Sequence, residues 1–229
     1  MKNITGSSTL ESMSQAVWYN QWTLKLFDRY LYGKILEVGC GIGNFTKTLT
    51  KYGKIVAIDI REDYIKKTKD LVGDKVRVGF GDVEKGNYFF KDRDFDSTVC
   101  VNVLEHIEND EKALKNIYEL LKVEGYLILL VPAHKFLYGK IDESIGHYRR
   151  YEAKEVIALL TKTGFKIISN KKINLLGAAG WWFFSNILKV NKVNKGNINF
   201  FNLIAPFLLP LENFFEPPLG TSILVIAQK

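Results

Sequence analysis

The stretch 35–45, ILEVGCGIGNF, contains three glycines and one acid whose spacing is suited to binding a small ligand. Gly39, Gly41 and Gly43 follow a strand-like apolar run, so bare backbone lets a ligand approach the start of the next helix. Glu37 adds a carboxylate, which would repel a pyrophosphate but pair with a cationic amine. The G-x-G-x-G spacing and this acid therefore argue against a nicotinamide dinucleotide.

Polar groups also follow the later strand-like runs. Asp59 lies near the end of the run 54–60, Gly81-Asp82-Val83 follows the run 76–80, and Asn102 follows the run 95–101. Because the carboxyl ends of parallel strands meet at one edge of a sheet, we expect these groups to face one ligand. Asp59 can accept both hydroxyl groups of a ribose, although an acid at this position could instead cap the next helix.

The pattern E-x-G-x-G-x-G after a short apolar strand resembles motif I of the class I S-adenosylmethionine (SAM) methyltransferases. The resemblance implies SAM as cofactor and S-adenosylhomocysteine as product. It implies that the acid and the glycines surround the methionine moiety, that the turn at Asp82 contacts adenine, and that Asn102 lies against the transferred methyl group. The cofactor contacts expected on this basis are Glu37, Gly39, Cys40, Gly41, Gly43, Asp59, Ile60, Asp82, Val83 and Asn102. Glycines in such a loop could also serve only tight packing between strand and helix.

The stretch 133–151, AHKFLYGKIDESIGHYRRY, concentrates titratable and anion-binding side chains after the fifth predicted strand. An imidazole there could remove a proton from a hydroxyl or amine acceptor, and a guanidinium could position a carboxylate. The candidate catalytic residues, with one histidine from the preceding strand end, are His106, His134, His147, Tyr148, Arg149 and Arg150. The alternative is a solvated loop with Arg–Asp pairs such as Arg149 to Asp142. The stretch loosely resembles a group of prokaryotic SAM methyltransferases, several of them associated with glycan or lipid pathways.

The stretch 102–106, NVLEH, bears on metal binding and on the acceptor. It is similar to a quinone-precursor O-methyltransferase subgroup whose E-x-x-E-H cluster resembles a divalent metal site. Asn102 replaces the first carboxylate of that cluster, so no metal is expected.

Methyltransferases that act on exocyclic base amines carry an Asn/Asp-Pro-Pro-aromatic motif at this point, whereas the first proline here is Pro132. Base amines are therefore not the expected acceptor.

Alternating apolar runs and amphipathic segments predict the elements that position these residues. Short connections between them imply a doubly wound, Rossmann-like α/β fold. The resemblance implies a seven-stranded sheet whose last strand is antiparallel. We predict a single domain over 1–229, with a core of about 30–172 and 219–229, an N-terminal helical cap at 9–32 and a helical insertion at about 174–217.

Composition favours one intracellular domain. A chain of 229 residues that is 47% hydrophobic can bury one sizeable core. Its two cysteines, Cys40 and Cys100, have no paired spacing and indicate buried thiols in a reducing compartment. Without an apolar signal region or a run long enough to span a bilayer, we expect a cytoplasmic protein.

The predicted insertion is apolar and basic. Between Val156 and Leu211 the chain has no acid but seven lysines, and the segment 175–215 carries clustered aromatic residues. This composition suits a peripheral membrane contact, which would place the protein at the inner face of the membrane, or a long apolar substrate. A helical lid over the sheet is the alternative, and both can hold together. The aromatics do not alternate with arginine, so a nucleic-acid partner is not expected. The sequence does not indicate an oligomeric state.

Together these features predict methyl transfer from SAM to a small-molecule or lipid- or glycan-linked acceptor, at oxygen or nitrogen. SAM already carries an activated methyl group, so the enzyme chiefly has to align a nucleophile and exclude water. Two alternatives are an NAD(P)-dependent oxidoreductase with the same sheet, and a non-catalytic SAM-binding or membrane-adaptor protein.

Overall fold

The protein is built on an eight-stranded sheet. Its structure, a computed structural model, describes residues 16–190 and 195–229. The strands are β1 (Lys34–Val38), β2 (Lys54–Asp59), β3 (Arg77–Asp82), β4 (Asn87–Tyr88), β5 (Phe95–Val101), β6 (Leu121–Pro132), β7 (Lys166–Ile173) and β8 (Ser222–Gln228). Their order across the sheet is β4-β3-β2-β1-β5-β6-β8-β7.

The strand directions confirm the predicted fold class. β1 pairs parallel with β2 and β5, and parallel pairing continues to β3 on one side and β6 on the other. β8 inserts antiparallel between β6 and β7, as expected for the last strand. β4 is one strand more than predicted. It pairs antiparallel with the end of β3 through only Gly81 to Tyr88 and Asp82 to Asn87, too short a pairing to leave a sequence pattern.

Helices cover both faces of the sheet. They are α1 (Val17–Lys25), α2 (Thr46–Leu49), α3 (Glu62–Val72), α4 (Asp110–Leu120), α5 (Lys140–Ile145), α6 (Ala153–Lys162), α7 (Leu175–Trp182) and α8 (Lys195–Leu208). α1 lies within the predicted N-terminal cap, of which residues 9–15 lie outside the described part of the chain.

Alternate residues of each central strand enter two different cores. In β1, Leu36 packs in a cluster with Leu114 of α4 and Leu160 of α6, whereas Ile35 packs in the cluster on the opposite face with Leu24 of α1. A strand that is apolar on both faces is what a parallel sheet covered by helices requires. The carboxyl ends of β1, β2, β3, β5 and β6 therefore open at one edge of a rigid sheet.

The insertion between β7 and β8 is anchored by a buried acid. It contains α7, a π-helical turn Phe183–Ile187, α8 and a 3₁₀ turn Leu209–Asn213. Glu212 is buried, and its carboxylate accepts hydrogen bonds from Asn174 N (2.7 Å) and Leu175 N (2.9 Å) at the start of α7. Within the described ranges, no helix is both long and apolar enough to cross a bilayer.

We predict that Glu212→Ala destabilises the protein by about 1–3 kcal/mol, because the substitution leaves two backbone N–H groups without their acceptor. The control is Glu216→Ala, whose exposed carboxylate also accepts a backbone bond, from Lys172 N at 3.2 Å. Water can replace that acceptor, so we expect a change within about 0.5 kcal/mol. Urea denaturation measures both, and equal effects would show that burial of Glu212 does not matter.

Candidate active site

Glycine backbone forms the turn that leaves β1. Gly39, Gly41 and Gly43 have φ angles of +73°, +54° and +88°, a region that favours glycine. A Cβ atom added at Gly39 would lie 2.3 Å from Cγ2 of Val103, so no side chain fits there. The N–H groups of Gly39 and Cys40 donate to Ile58 O at 2.8 and 2.9 Å, which fixes the turn to β2. The conformation of the loop is thus fixed by hydrogen bonds to β2 and by packing against Val103.

Asp59, at the end of β2, links the glycine loop to its own strand. The carboxylate is buried and accepts from Gly41 N through Oδ2 and from Arg61 N through Oδ1, both at 2.9 Å. Burial raises the pKa of Asp59 above its ordinary value, and the two backbone bonds oppose that rise. Each oxygen keeps a further lone pair, so the position predicted to bind a ribose retains accepting capacity.

Glu37, on β1, is a buried carboxylate with an unused oxygen. The residue is 4% exposed, and among the described residues Oε2 has no hydrogen-bond partner. Burial, with a smaller contribution from the charge of Asp59, raises the pKa of Glu37 to about 8. A buried carboxylate that lacks a donor is stabilised by a cationic ligand, which the sequence analysis predicted for this position.

Asp82, Val83 and Ile60 lie at the ends of β3 and β2. Asp82 Oδ1 accepts from Glu84 N and Lys85 N, both at 3.0 Å, so one oxygen shapes the turn before β4. Val83 is buried, whereas Ile60 is 64% exposed and available for contact. The predicted cofactor contacts at these two strand ends therefore include one apolar residue inside the fold, Val83, and one on its surface, Ile60.

Asn102 directly follows β5 with a φ of +53°, a left-handed conformation that is uncommon for residues other than glycine. Its N–H donates to Leu130 O of β6 at 2.9 Å, and its side chain is exposed. Such outliers often occur at functional sites, which agrees with the predicted position near the transferred group.

A second constellation forms around Asp142 of α5. This residue is fully buried, and its Oδ1 accepts from His147 Nδ1 at 2.8 Å and from Arg150 Nε at 2.9 Å. Its Oδ2 accepts from Trp181 Nε1 and Gly139 N, both at 3.1 Å. Burial alone would raise the pKa of Asp142, but His147 and Arg150 hold it below its ordinary value. Asp142 thus joins the loop 133–151 to α7 of the insertion.

Glu105 and His106 approach this constellation from a 3₁₀ turn, Leu104–His106, after β5. Glu105 is fully buried, neither carboxylate oxygen has a hydrogen-bond partner in the described chain, and Oε1 lies 3.7 Å from His147 Nε2. Burial raises the pKa of Glu105 to about 7, and the nearby His147 and Arg150 oppose that rise. The rings of His106 and His147 meet edge to face, 4.6 Å between centroids, and desolvation and then His147 lower the pKa of His106.

The remaining candidate catalytic residues have separate partners. His134 Nδ1 lies 3.3 Å from Glu152 Oε2, and its ring packs on Phe136. Tyr148 is 57% exposed. Arg149 donates to Asp110 Oδ2 at 2.8 Å, so the pair of Arg149 with Asp142, which the alternative of a solvated loop offered, is wrong by one residue. Arg150, rather than Arg149, pairs with Asp142, because the chain after α5 turns Arg150 inward to 2% exposure.

Sequence reasoning missed three members of this site. The sequence presents Asp142 as a surface partner of an arginine, Trp181 as part of an apolar segment, and Glu105 as the remainder of an incomplete motif. Their roles depend on contacts between distant parts of the chain. The one local signal was the presence of acids among histidines and arginines in the stretch 102–151.

Comparison with known proteins identifies the family. A family model described as a methyltransferase domain matches residues 36–129, which include the glycine loop and Asp59. The chain is 30% identical over 168 residues to an uncharacterized protein of Methanocaldococcus jannaschii, covering 70% of this chain and 74% of that one. This chain belongs to the class I SAM-dependent methyltransferases. The assignment decides for SAM against a nicotinamide cofactor.

Other relatives of the methyltransferase match it at lower identity or over a smaller share of their own length. A second uncharacterized M. jannaschii protein is 31% identical over 153 residues, but the match covers 67% of this chain and 64% of that protein. The ubiquinone biosynthesis O-methyltransferase of Rickettsia typhi is 25% identical, with 69% and 70% covered. The crystal structure of a SAM-dependent methyltransferase from Archaeoglobus fulgidus has the same fold, with a TM-score of 0.63 at 19% identity over 93% and 94% of the chains.

We predict that Glu37→Gln stabilises the cofactor-free methyltransferase at alkaline pH. The pKa of Glu37 is raised on folding, from 4.5 to about 8, so its contribution to stability is complete below about pH 4.5. That contribution is lost as the pH rises to about 8, because the unfolded chain ionises first. The variant does not lose this proton, so its advantage in unfolding free energy should grow over that interval, by a few kcal/mol at most, at about 1.4 kcal/mol per pKa unit. Urea denaturation at pH 5 and pH 8.5 measures it.

The same substitution should weaken binding of S-adenosylhomocysteine about 10- to 100-fold at pH 8.5, since a charge-assisted bond to the ligand amine is lost. Isothermal titration calorimetry measures the dissociation constant. Glu62→Gln, at an exposed position on α3, is the control and should change neither stability nor affinity. Equal affinity of the Glu37→Gln variant and the wild type would remove Glu37 from the cofactor site.

Proposed function

We propose that this methyltransferase transfers a methyl group from SAM to a small-molecule or lipid- or glycan-linked acceptor, at a hydroxyl or amine. The observation that carries the proposal is the hydrogen bond from Trp181 Nε1 to Asp142 Oδ2, 3.1 Å, which joins the apolar insertion to the loop 133–151. A second bond in the same region runs from Ile141 N to Ser185 Oγ at 3.3 Å. An acceptor that reaches the loop would therefore meet apolar surface.

The residues at the ends of β1 and β2 fit SAM. The unpartnered carboxylate of Glu37 suits the ammonium group of the methionine moiety, and Asp59 has lone pairs for the ribose hydroxyls. Val103 packs against the backbone of Gly39, so this position of the loop has to be glycine. Bound SAM supplies an electrophilic methyl group on a sulfonium that is already a good leaving group.

The protein's part is to orient the acceptor and take up its proton. Of the three histidines, His106 and His147 lie together near the end of β5, while His134 has its own partner in Glu152. Both arginines of the loop are already paired with acids, Arg149 with Asp110 and Arg150 with Asp142. We therefore assign the handling of the acceptor proton to the imidazoles, and structural roles to the arginines.

Exposed apolar side chains on the insertion support an acceptor with a long apolar part. Leu203, Phe207 and Phe214 are 69%, 76% and 88% exposed, and Lys189 is exposed near the end of the π-helical turn. Exposed apolar side chains and an exposed lysine within one insertion suit a lipid headgroup boundary. We propose that the enzyme acts at the cytoplasmic face of a membrane. The R. typhi relative, named for ubiquinone biosynthesis, adds support for O-methylation of a lipid-like acceptor.

The test is transfer of labelled methyl from SAM by the purified protein into an extract of its source organism, followed by separation into organic and aqueous phases. We expect label in the organic phase. Label confined to small aqueous products would contradict the lipid-like acceptor, and absence of label from both phases would contradict transfer to a component of that extract.

Trp181→Phe tests the link between the insertion and the loop. The variant keeps an aromatic ring but loses the donor to buried Asp142, so we expect an initial transfer rate about 10-fold lower. Trp182→Phe is the matched control, since the neighbouring ring is 45% exposed, and its rate should stay within about 2-fold of wild type. Equal rates for the two variants would remove the Trp181 to Asp142 bond from the acceptor site.

A further inference from the structure

The side chains of Glu105, His106 and His147 form a cluster that the sequence did not predict as a metal site. Each offers one ligand atom, and these atoms all lie within 4.8 Å of one another. We propose that these three side chains bind one divalent transition-metal cation, with at least one coordination position left for an oxygen of the acceptor. The third ligand is His147 of the loop 133–151, not an acid at position 102. The three ligands therefore differ from the E-x-x-E-H motif, whose incomplete form here led to the prediction of no metal.

Glu105 provides the strongest argument. Its carboxylate is 0% exposed, and neither oxygen accepts a hydrogen bond within the described residues. Arg150, the nearby cation, already donates its Nε to Asp142 and its Nη1 to Ala133 O. Buried charges in proteins are normally paired with a counter-charge or coordinate a metal. A cation between Glu105 and the imidazoles would supply the missing partner.

The tautomers of the two histidines are set by acceptors on their Nδ1 atoms. His147 Nδ1 lies 2.8 Å from Asp142 Oδ1, and His106 Nδ1 lies 3.2 Å from the carbonyl oxygen of Gly146. Because a carboxylate oxygen and a carbonyl oxygen act as acceptors here, each Nδ1 is the donor, which leaves Nε2 of each ring to face a metal ion. Metal-ligating histidines are typically oriented by outer acceptors of this kind.

A simple ion pair does not explain the cluster as well. His147 Nε2 stands 3.7 Å from Glu105 Oε1, which is too long for a hydrogen bond, while its Nδ1 is already bonded to Asp142. Ligand atoms around one metal ion at about 2.0–2.2 Å are about 3–4 Å apart. The observed separations therefore need to shorten by only about 1 Å.

The ligand types indicate the class of metal. Two imidazoles and one carboxylate suit zinc, cobalt, iron or manganese, whereas magnesium and calcium prefer oxygen ligands. Three protein ligands are typical of sites that keep a position open for water or substrate. With the ion bound, the two imidazoles would serve as ligands and not as proton acceptors. A hydroxyl group bound to the ion would have a lowered pKa and would release its proton to water, which would favour an oxygen acceptor. This last consequence rests on the proposed function, but metal binding itself does not.

The experiment titrates tag-free, metal-stripped protein with Co²⁺ and Zn²⁺. We expect one ion per chain by elemental analysis, and a visible Co²⁺ absorption band that Zn²⁺ abolishes. Glu105→Gln and His147→Asn should weaken binding at least about 10- to 100-fold. His134→Asn, which changes the histidine outside the cluster, is the matched control and should bind like wild type.

One further variant and one further readout, the melting temperature, distinguish loss of metal binding from misfolding. His106 is exposed, so His106→Asn should fold normally and still lose affinity. Without metal, Glu105→Gln should melt at a higher temperature than wild type, because a buried unpaired acid is removed. Added Zn²⁺ should raise the melting temperature of the wild type but not that of Glu105→Gln. No saturable binding at one ion per chain, or equal weakening by His134→Asn, would overturn the proposal. Failure of methyl transfer by protein that binds the ion would overturn the proposed function alone.

Discussion

Burial of carboxylates at one edge of a parallel sheet is the constraint on which the rest of this site depends. Glu37, Asp59, Glu105 and Asp142 are each at most 8% exposed. Asp59 and Asp142 are satisfied by donors of the chain itself, through backbone N–H groups and through His147, Arg150 and Trp181. Glu37 and Glu105 retain unpartnered oxygens. The two satisfied acids organise the loops, and the two unsatisfied acids define where ligands with positive charge fit.

Asp59 and Asp142, whose carboxylate oxygens all accept hydrogen bonds, connect parts of the chain that are distant in sequence. Asp59 fixes the glycine loop to the end of β2, so the backbone conformation around Gly41 is set before a ligand arrives. Asp142 gathers α5, the segment after it and α7 into one polar centre. Because removal of any donor would leave a buried charge under-satisfied, these loops are held more firmly than their length suggests.

Sequence patterns were sufficient for the fold, the family and the cofactor, because all three depend on local signals. The glycine loop, the acids at successive strand ends and the antiparallel last strand follow from short motifs and from a resemblance that such motifs carry. The acceptor side could not be predicted in the same way. Whether Arg149 or Arg150 turns inward, and whether His147 meets Glu105, depends on how the loop after β6 folds against the 3₁₀ turn after β5. No periodic pattern encodes that contact.

The unsatisfied acids also link ligand binding to stability. In the free chain, Glu37 can relieve its burial by taking up a proton, which is why its pKa rises to about 8. Its neighbour Asp59 reinforces the effect, since two carboxylates at adjacent strand ends repel when both are ionised. A cationic ligand removes the need for that proton and favours the ionised form. Cofactor binding should therefore release a proton near neutral pH, and the same burial that weakens the free protein makes the site selective for positive charge.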